Sequence, residues 1–236
     1  MTFILNLLHK DFSLIAGDKQ GNAVKPGTLK VGATTIHHNG KLTVEGIRKV
    51  FLTGNKHVAL GYAGNTGDHG YVQAFSRTDT GESAIRCVRQ HMDSFFRFEC
   101  RDSFLNSEPR MENSALISFF DDEKSAYWTA LTSFTQFSSH TDLSARRQNP
   151  SPILIHIGSG STHFEAAAGL DAINKFIEDV KIGASLEAQL EWFQEAFYKV
   201  SAVAPGCGTN FDAVLSTRES PEFRYVHGDA GQQITL

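Results

Sequence analysis

The sequence has few cysteines, and their arrangement argues against two kinds of site. Its three cysteines, Cys87, Cys100 and Cys207, are far apart and form no Cys-x-x-Cys pair. A disulfide framework or a structural zinc site needs cysteines in sets and at short spacings. The sequence therefore argues against both and for a reducing compartment. We expect a cytoplasmic protein that uses no metal and no other cofactor.

Long apolar runs and a strong excess of one charge are also missing. No stretch approaches the roughly 20 apolar residues that a membrane-spanning helix needs. The apolar start of the chain lacks the basic residues that precede the apolar core of a signal peptide. A net charge of -4 gives no electrostatic reason to expect nucleic acid or an anionic membrane as a partner. The 236 residues are enough for one domain with a substantial core.

Strand-like and helix-like patterns alternate along the chain. Short apolar or β-branched runs predict strands at 2–8, 13–16, 31–37, 49–53, 57–63, 113–120, 124–131, 153–157, 210–217 and 223–227. Helical periodicity predicts helices at 68–75, at 83–98, from a capping box at Thr162 and Glu165 to about Val180, and from Ser185 onward. The Ser/Thr-rich segment 132–150 is predicted to be a surface loop.

The order of these elements favours a layered α+β fold. Each block of strands must bury one face against another layer, and each group of helices must cover a sheet. Two stacked sheets between two helical layers satisfy both requirements. The sequence therefore predicts a four-layer α/β/β/α sandwich that forms one domain, residues 1–236.

Thr2 is a candidate nucleophile because it directly follows the initiator methionine. Threonine is small enough for removal of Met1 to be expected, and removal would make Thr2 the amino terminus. Its hydroxyl would then lie beside its own α-amine, whose pKa of about 7.7–8.0 leaves part of it neutral near pH 7. Many proteins begin with Met-Thr for other reasons, so the residues that accompany Thr2 must make the case.

Several motifs accompany Thr2 in a fixed order. They are Thr2-Phe-Ile-Leu, Ile15-Ala-Gly-Asp18, Arg48-Lys-Val-Phe-Leu52, Gly61-Tyr-Ala-Gly-Asn-Thr-Gly-Asp68 and Ile157-Gly-Ser-Gly-Ser161. Together they resemble the proteasome β-subunit superfamily of N-terminal-nucleophile (Ntn) hydrolases, which includes the bacterial protease HslV. The resemblance covers most of the chain and is weakest between about residues 100 and 150.

The resemblance implies catalytic roles for Thr2, Asp18, Lys49, Gly64 and Ser159. Thr2 would be the nucleophile, and the Lys49 ammonium, held by Asp18, would stabilise its developing alkoxide. The backbone N–H of Gly64 would bind the oxyanion, where a glycine leaves room for the substrate carbonyl. Ser159 would relay a proton or hold a water near the terminal amine.

The same resemblance implies a substrate pocket and an assembly. The residues that would line the pocket are Gly21, Asn22, Phe51, Tyr62 and Thr66. The implied activity is that of a threonine endopeptidase acting on peptides or unfolded proteins through an acyl-enzyme ester. The implied assembly is a double ring of two heptamers, or alternatively two hexamers, with an unidentified ATPase or cap as a further partner.

Most of the implied residues also have an ordinary structural interpretation. Asp18 could be a turn residue, Lys49 a charge at a strand edge and Ser159 a helix cap. The neighbouring His37 and His38 would point to opposite faces of a strand, which makes solvated histidines the better interpretation than a metal pair. Cys207, between two glycines, fits a structural role near the site better than nucleophilic chemistry because no partner base is evident.

The chain departs from the family pattern in two places. It has additional residues between Gly27 and Gly46, and segment 203–208 lacks the aspartate and serine that support the terminal amine in proteasomes. The departures point away from HslV and towards the less common bacterial proteasome homologues, such as those of β-proteobacteria. Two alternatives stay open: a small-molecule amidase of the same superfamily and a catalytically silent cage subunit.

Overall fold

The computed structural model describes most of the chain as a mixed α+β protein with antiparallel sheets. The residues it describes are 2–23, 26–31, 34–39, 42–64, 70–95, 113–135, 138–146 and 151–228. Within these ranges no helix is both long and apolar enough to cross a membrane.

The strands and helices follow one another in alternating blocks. In chain order the strands are β1 (Ile4–Leu8), β2 (Phe12–Asp18), β3 (Gly21–Ala23), β4 (Pro26–Val31), β5 (Thr34–Asn39), β6 (Leu42–Val44), β7 (Val50–Leu52), β8 (Val58–Ala63), β9 (Asn113–Asp121), β10 (Ala126–Thr135), β11 (Ser138–Arg146), β12 (Ile153–Ile157), β13 (Phe211–Thr217) and β14 (Ser220–His227). The helices are α1 (Gly70–Ser76), α2 (Gly81–Phe95), α3 (Ser161–Ala168), α4 (Leu170–Lys181) and α5 (Leu186–Val203).

Two five-stranded sheets form the centre of the described structure. The first has the spatial order β12-β1-β2-β13-β14, and the second has the order β11-β10-β9-β8-β7. β1 and β2 form an antiparallel hairpin, and so do β7 and β8, whose turn contains Gly54 and Asn55. Every residue of β1 is buried, as expected for an apolar strand covered on both faces.

Side chains that alternate along β1 enter two different cores. Leu5 and Leu7 join Phe193 and Phe197 of α5 in a cluster between the first sheet and helices α3–α5. Ile4 instead joins a cluster to which both sheets contribute. A third cluster lies between the second sheet and helices α1 and α2. Because successive side chains of a strand point to opposite faces of the sheet, β1 contributes to the cores on both sides of its sheet.

A buried polar cluster also connects the two sheets. Its members are Asn6 and Ser13 from the first sheet and Ser118 and Thr129 from the second. The Ser13 and Ser118 hydroxyls are 2.8 Å apart, and the Thr129 hydroxyl donates to Asn6 Oδ1 at 2.9 Å. Asn6 Nδ2 donates to the Ser13 hydroxyl at 3.0 Å, so these buried polar groups satisfy one another.

The four strands β3 to β6, which lie between β2 and β7 in the chain, form a two-stranded ribbon. Gly21 pairs with Val44 in β3–β6, and Pro26 pairs with Asn39 in β4–β5, so the pairing continues from one strand pair to the next without a shift in register. Among the described residues the ribbon pairs with neither five-stranded sheet. The prediction of a single strand over 31–37 was wrong in its extent: residues 34–37 belong to β5, whereas Val31 is the last residue of β4, and residues 32 and 33 lie outside the described residues.

Two further sequence predictions were wrong. The described part of segment 132–150 is not a loop, because β10 continues to Thr135 and β11 covers Ser138–Arg146. Its Ser and Thr residues are compatible with an edge strand, since threonine is β-branched and an edge needs little apolar surface.

The predicted helix ending at Val180 is two helices, divided at Gly169, where φ is 87°. The capping box at its start does not form: the N-cap is Gly160, and the Thr162 hydroxyl donates to the Ser159 carbonyl at 3.0 Å. The start predicted at Ser185 is confirmed, because the Ser185 hydroxyl accepts the Ala188 N–H.

Candidate active site

Thr2 lies just before β1 and is 5% exposed. Its nitrogen, here in the peptide bond to Met1, donates to the Ser159 hydroxyl at 3.0 Å. Its carbonyl oxygen accepts the Gly160 N–H at 3.1 Å. The residue therefore has hydrogen bonds on both backbone sides to the turn between β12 and α3.

Asp18, at the end of β2, is the fully buried centre of the site. Its Oδ1 accepts the Phe3 N–H at 2.7 Å and the Lys49 ammonium at 2.8 Å. Its Oδ2 accepts the Gly208 N–H at 2.9 Å and the Gln20 N–H at 3.3 Å. Four donors therefore compensate for the desolvation of one carboxylate. Because Phe3 follows Thr2, the same carboxylate fixes both Lys49 and the backbone of the candidate nucleophile.

Lys49 directly precedes β7 in the second sheet and is 2% exposed. Its ammonium reaches Asp18 in the first sheet and also donates to the Gln20 carbonyl oxygen. Burying a lone ammonium would cost several kcal/mol, so both partners are needed to keep the charge there. The result is a cation that is oriented in advance beside the Thr2 segment.

The glycine-rich turn after β12 makes the close approach to Thr2 possible. A Cβ at Gly158, where φ is 93°, would overlap the Thr2 carbonyl oxygen and would lie 3.1 Å from the Ala63 Cβ. Ala63 ends β8, and Gly64 follows it with φ of 150°, a conformation that favours glycine. The end of β8 that carries Gly64 is thus adjacent to the Thr2 turn.

Cys207 lies in the loop after α5 and is 3% exposed. Its Sγ would be 2.9 Å from a Cβ built on Gly160, the residue after Ser159. Burial is the main cause that raises the pKa of Cys207 to about 11, with the nearby Asp18 carboxylate contributing. Near neutral pH the side chain is therefore a thiol, which makes it a poor nucleophile.

The residues predicted to line a pocket fall into different surroundings. A Cβ at Gly21 would overlap the Ile47 side chain, so these two positions are in contact. Asn22 donates to the Gly206 carbonyl and accepts from the Thr43 hydroxyl, both at 2.9 Å. Phe51 and Tyr62 belong to the apolar cluster beneath α1 and α2. Thr66 lies outside the described residues.

The structure adds three contributors that the sequence did not indicate. Ile47 is buried against Gly21, and Gln20 and Gly208 contribute backbone groups to the Lys49 and Asp18 pair. Backbone donors and acceptors leave no residue-type signal, so only the glycines around Cys207 could have drawn attention to that loop. The ion pair between Lys19 and Asp212, 3.0 Å long, lies next to the site because Lys19 directly follows Asp18 in the chain.

Nothing in the described residues supports His37 and His38, the two neighbouring histidines of the sequence, as a metal pair. His37 is exposed, and the His38 side chain lies outside the described residues. Within the described ranges no group of three or more His, Cys, Asp and Glu side chains could hold a metal ion.

The arrangement can support nucleophilic attack by the side chain of Thr2, just before β1. A buried ammonium is fixed by a carboxylate, and a serine hydroxyl accepts from the Thr2 nitrogen. These groups could stabilise an alkoxide and orient an amine, which are the requirements of an N-terminal nucleophile.

A scan against protein-family models finds no match, and a search of curated proteins finds no relative.

Proposed function

We propose that the protein is a threonine-type endopeptidase, with Thr2 as its nucleophile after removal of Met1. The observation that supports this most strongly is the Asp18 carboxylate, which accepts both the Lys49 ammonium at 2.8 Å and the Phe3 N–H beside Thr2 at 2.7 Å. A buried ion pair directed at the first residues of a chain is costly to build for a purely structural purpose.

The proposed reaction has two balanced steps. Thr2 Oγ attacks the scissile carbonyl carbon while the neutral α-amine of Thr2 takes the hydroxyl proton, and the Gly64 N–H accommodates the oxyanion. The C–N bond then breaks, and the leaving amine receives that proton, which leaves an ester on Thr2. Water, deprotonated by the same amine, attacks the ester carbonyl, releases the acid product and restores the hydroxyl.

The proposal includes a fold and an assembly. The three apolar clusters, two of them below helices and one shared by both sheets, are what a four-layer α/β/β/α sandwich of the Ntn-hydrolase type requires. We expect one domain, residues 1–236, in a cytoplasmic double ring of two heptamers or two hexamers. Exposed Leu170, Ile182, Tyr198 and Val203, on or beside α4 and α5, offer apolar surface for contacts between subunits.

Covalent labelling with an epoxyketone tests the proposal, because that reagent needs both the hydroxyl and the free amine of an N-terminal threonine. We expect an intact mass without Met1 and a single adduct on Thr2. Thr2→Ala should form no adduct, and Thr2→Ser should retain it. Absence of an adduct on a chain that begins at Thr2 would refute the catalytic role.

The alternatives give different results in the same experiment. A silent cage subunit would assemble without labelling, for example because Met1 stays in place and blocks the amine. A small-molecule amidase would be labelled but would hydrolyse small amides and leave peptides intact. Comparing peptide and small-amide turnover by unlabelled protein from the same preparation, with the labelled protein as the inactive control, therefore separates the two enzymes.

A further inference from the structure

Strand β14 is connected by hydrogen bonds to β7, the strand that Lys49 directly precedes. β14 is an edge strand of the first sheet, and β7 is an edge strand of the second. The Phe223 N–H of β14 donates to the Lys56 carbonyl, in the turn after β7, at 2.7 Å. The Tyr225 hydroxyl of β14 donates to the Val50 carbonyl of β7 at 3.1 Å. These two hydrogen bonds fix the position of β7 relative to a strand of the other sheet.

The Val50 carbonyl points away from β8, the strand with which β7 pairs. The Lys49 carbonyl accepts the Tyr62 N–H of β8 at 2.9 Å, and successive carbonyls of a strand point to opposite sides. On its other side β7 pairs with no strand among the described residues. Val50 is fully buried, so its carbonyl needs a donor from the protein rather than from water. The Tyr225 hydroxyl supplies this donor.

The ring of Tyr225 also contacts the residue before Lys49. The carbon atom at the centre of the Arg48 guanidinium lies 5.6 Å from the centre of this ring, within the range of a cation–π interaction. Burial raises the pKa of the Tyr225 hydroxyl above its ordinary value of 10.0, so near neutral pH the hydroxyl keeps the proton that it donates. Lys49 therefore lies between two residues that Tyr225 contacts, one through its ring and one through its hydroxyl.

We propose that Tyr225 is a positioning residue: by bonding to the Val50 carbonyl, its hydroxyl holds the Lys49 ammonium in place for the proposed reaction. The ammonium contacts Asp18, at the end of a strand of the first sheet, at 2.8 Å, so a bond between β14 and β7 acts on that contact. The inference rests on the proposed function, in which the ammonium stabilises the Thr2 alkoxide.

Tyr225→Phe tests the hydroxyl, because the variant keeps the ring and its contact with Arg48. We expect kcat for a peptide to fall roughly tenfold, less than the ~100-fold that a 1 Å misplacement of reacting groups can cost. KM should stay unchanged, because the alkoxide that Lys49 stabilises forms only in the transition state. The value of kcat is calculated per site titrated to completion with the epoxyketone, so a smaller folded fraction does not lower it.

Tyr127→Phe is the matched control. The Tyr127 hydroxyl also joins the two sheets, because it lies 2.7 Å from the Ser216 hydroxyl, and the residue is fully buried. Ser216 pairs with Ser13, near the start of β2, whereas Asp18 ends that strand. Tyr127→Phe should therefore lower the free energy of unfolding at least as much as Tyr225→Phe does and leave kcat and KM unchanged.

Three kinetic outcomes would overturn the inference. The first is an unchanged kcat in Tyr225→Phe. The second is an equal fall of kcat in Tyr225→Phe and Tyr127→Phe, because the loss of an inter-sheet bond anywhere would then explain both. The third is a higher KM at constant kcat in Tyr225→Phe, which would assign the hydroxyl to substrate binding.

A measurement that needs no turnover separates this inference from the proposed function. Crystal structures of wild type, Tyr225→Phe and Tyr127→Phe, superposed on the first sheet, give the position of the Lys49 ammonium relative to Asp18. We expect a displacement of at least about 0.5 Å, the tolerance of a catalytic group, in Tyr225→Phe and none in Tyr127→Phe.

The two proposals can then fail independently. A wild-type protein without peptidase activity, together with the expected displacement in Tyr225→Phe, would refute the proposed function and support the placement of Lys49 by Tyr225. An active wild-type protein with the Lys49 ammonium in the same place in all three structures would support the proposed function and overturn the positioning role.

Discussion

Asp18 and Lys49 form a buried ion pair that joins two different sheets. Both side chains are at most 2% exposed, so water screens neither charge. The pair is held by backbone as well as by charge, because three main-chain N–H groups also donate to the carboxylate. Removing one partner therefore has a different effect from weakening a surface salt bridge.

Substitution of Lys49 should reveal this difference. Lys49→Met leaves the Asp18 carboxylate without its cation, and we expect the free energy of unfolding to fall by about 3 kcal/mol. Labelling of Thr2 should be lost at the same time. Urea unfolding measures the first effect. Lys181→Met, which removes an exposed pair with Glu178, is the control and should cost less than about 0.5 kcal/mol; equal losses in both variants would contradict the prediction.

His156 provides a pH-dependent contribution to stability. Its Nδ1 lies 2.6 Å from the Ser161 hydroxyl, and its ring packs against Phe164. Burial lowers the pKa of His156 below its ordinary value of 6.5, with the Glu165 carboxylate opposing the shift. The folded protein thus binds this proton less tightly than the unfolded chain. The stability associated with His156 is complete above pH of about 6.5 and decreases as the pH falls below that value.

Thermal unfolding at about pH 7.5 and about pH 5.5 tests this sign. His156→Gln should lose less stability than wild type between the two pH values, because the variant no longer carries the group that protonates on unfolding. His163→Gln, at an exposed position of the following helix α3, should behave as wild type does. A His156 variant with the full wild-type decrease would show that another group causes it.

At the residue scale the structure brings together side chains that come from motifs far apart in sequence, and their catalytic roles stay predictions. Thr2 bonds to Ser159 and Lys49 bonds to Asp18, and the N–H of the residue after Thr2 also donates to Asp18. The acceptors and donors from the backbone of Gln20 and Gly208 were missed. Any residue has these groups, so their use depends on the folded path of the chain and leaves no trace in composition.

At the scale of elements, two glycines with similar backbone angles have different tasks. Gly158 has φ of 93° and contacts the Thr2 carbonyl, whereas Gly169 has φ of 87° and no atom within 4 Å of its Cβ position. Gly169 only divides α3 from α4. Gly158 additionally allows β12 and the start of β1 to approach each other closely.

Alanine substitution of the two glycines should separate the cost of a strained backbone from the effect of a steric clash with Thr2. Both Gly158→Ala and Gly169→Ala are expected to lose about 1–2 kcal/mol from the left-handed backbone alone. Only Gly158→Ala should also abolish Thr2 labelling, because its new Cβ occupies the place of the Thr2 carbonyl oxygen. Unfolding curves together with labelling rates check both parts. Loss of labelling in Gly169→Ala would show that the break between helices matters to the site.

The errors in the predicted elements share a physical origin. Segment 132–150 is polar, but a strand at the edge of a sheet needs few apolar residues, so polarity did not distinguish β11 from a loop. The periodicity over 162–180 is continuous although the helix is not, because one glycine changes the backbone direction without interrupting the apolar stripe. Strongly periodic or largely apolar elements, such as α5 and β1, were predicted correctly.

At the scale of the molecule, the ribbon joins neither five-stranded sheet among the described residues. Its strands pair only with each other among the described residues, and a two-stranded ribbon alone is marginally stable. Replacing residues 24–41 by Asn-Gly would connect Ala23 to its partner Leu42 through a two-residue turn.

We expect this shortened chain to keep its free energy of unfolding within about 1 kcal/mol of wild type. Thr2 should still be labelled, since Asn22 keeps its bonds to Gly206 and Thr43. Urea unfolding and labelling check the prediction, and size-exclusion chromatography with light scattering shows whether assembly depends on the ribbon. A large loss of stability would mean that the ribbon belongs to the core.

The buried polar cluster between the sheets has a mechanical consequence for the site. Asp18 ends a strand of the first sheet and Lys49 directly precedes a strand of the second, so sliding one sheet by a single residue, about 3.3 Å, would separate the ion pair. Apolar contacts tolerate small displacements, whereas the directional bonds from Ser13 to Ser118 and from Thr129 to Asn6 do not. Ser13 lies at the far end of β2 from Asp18, and there it resists the shear that would misalign the reactive groups.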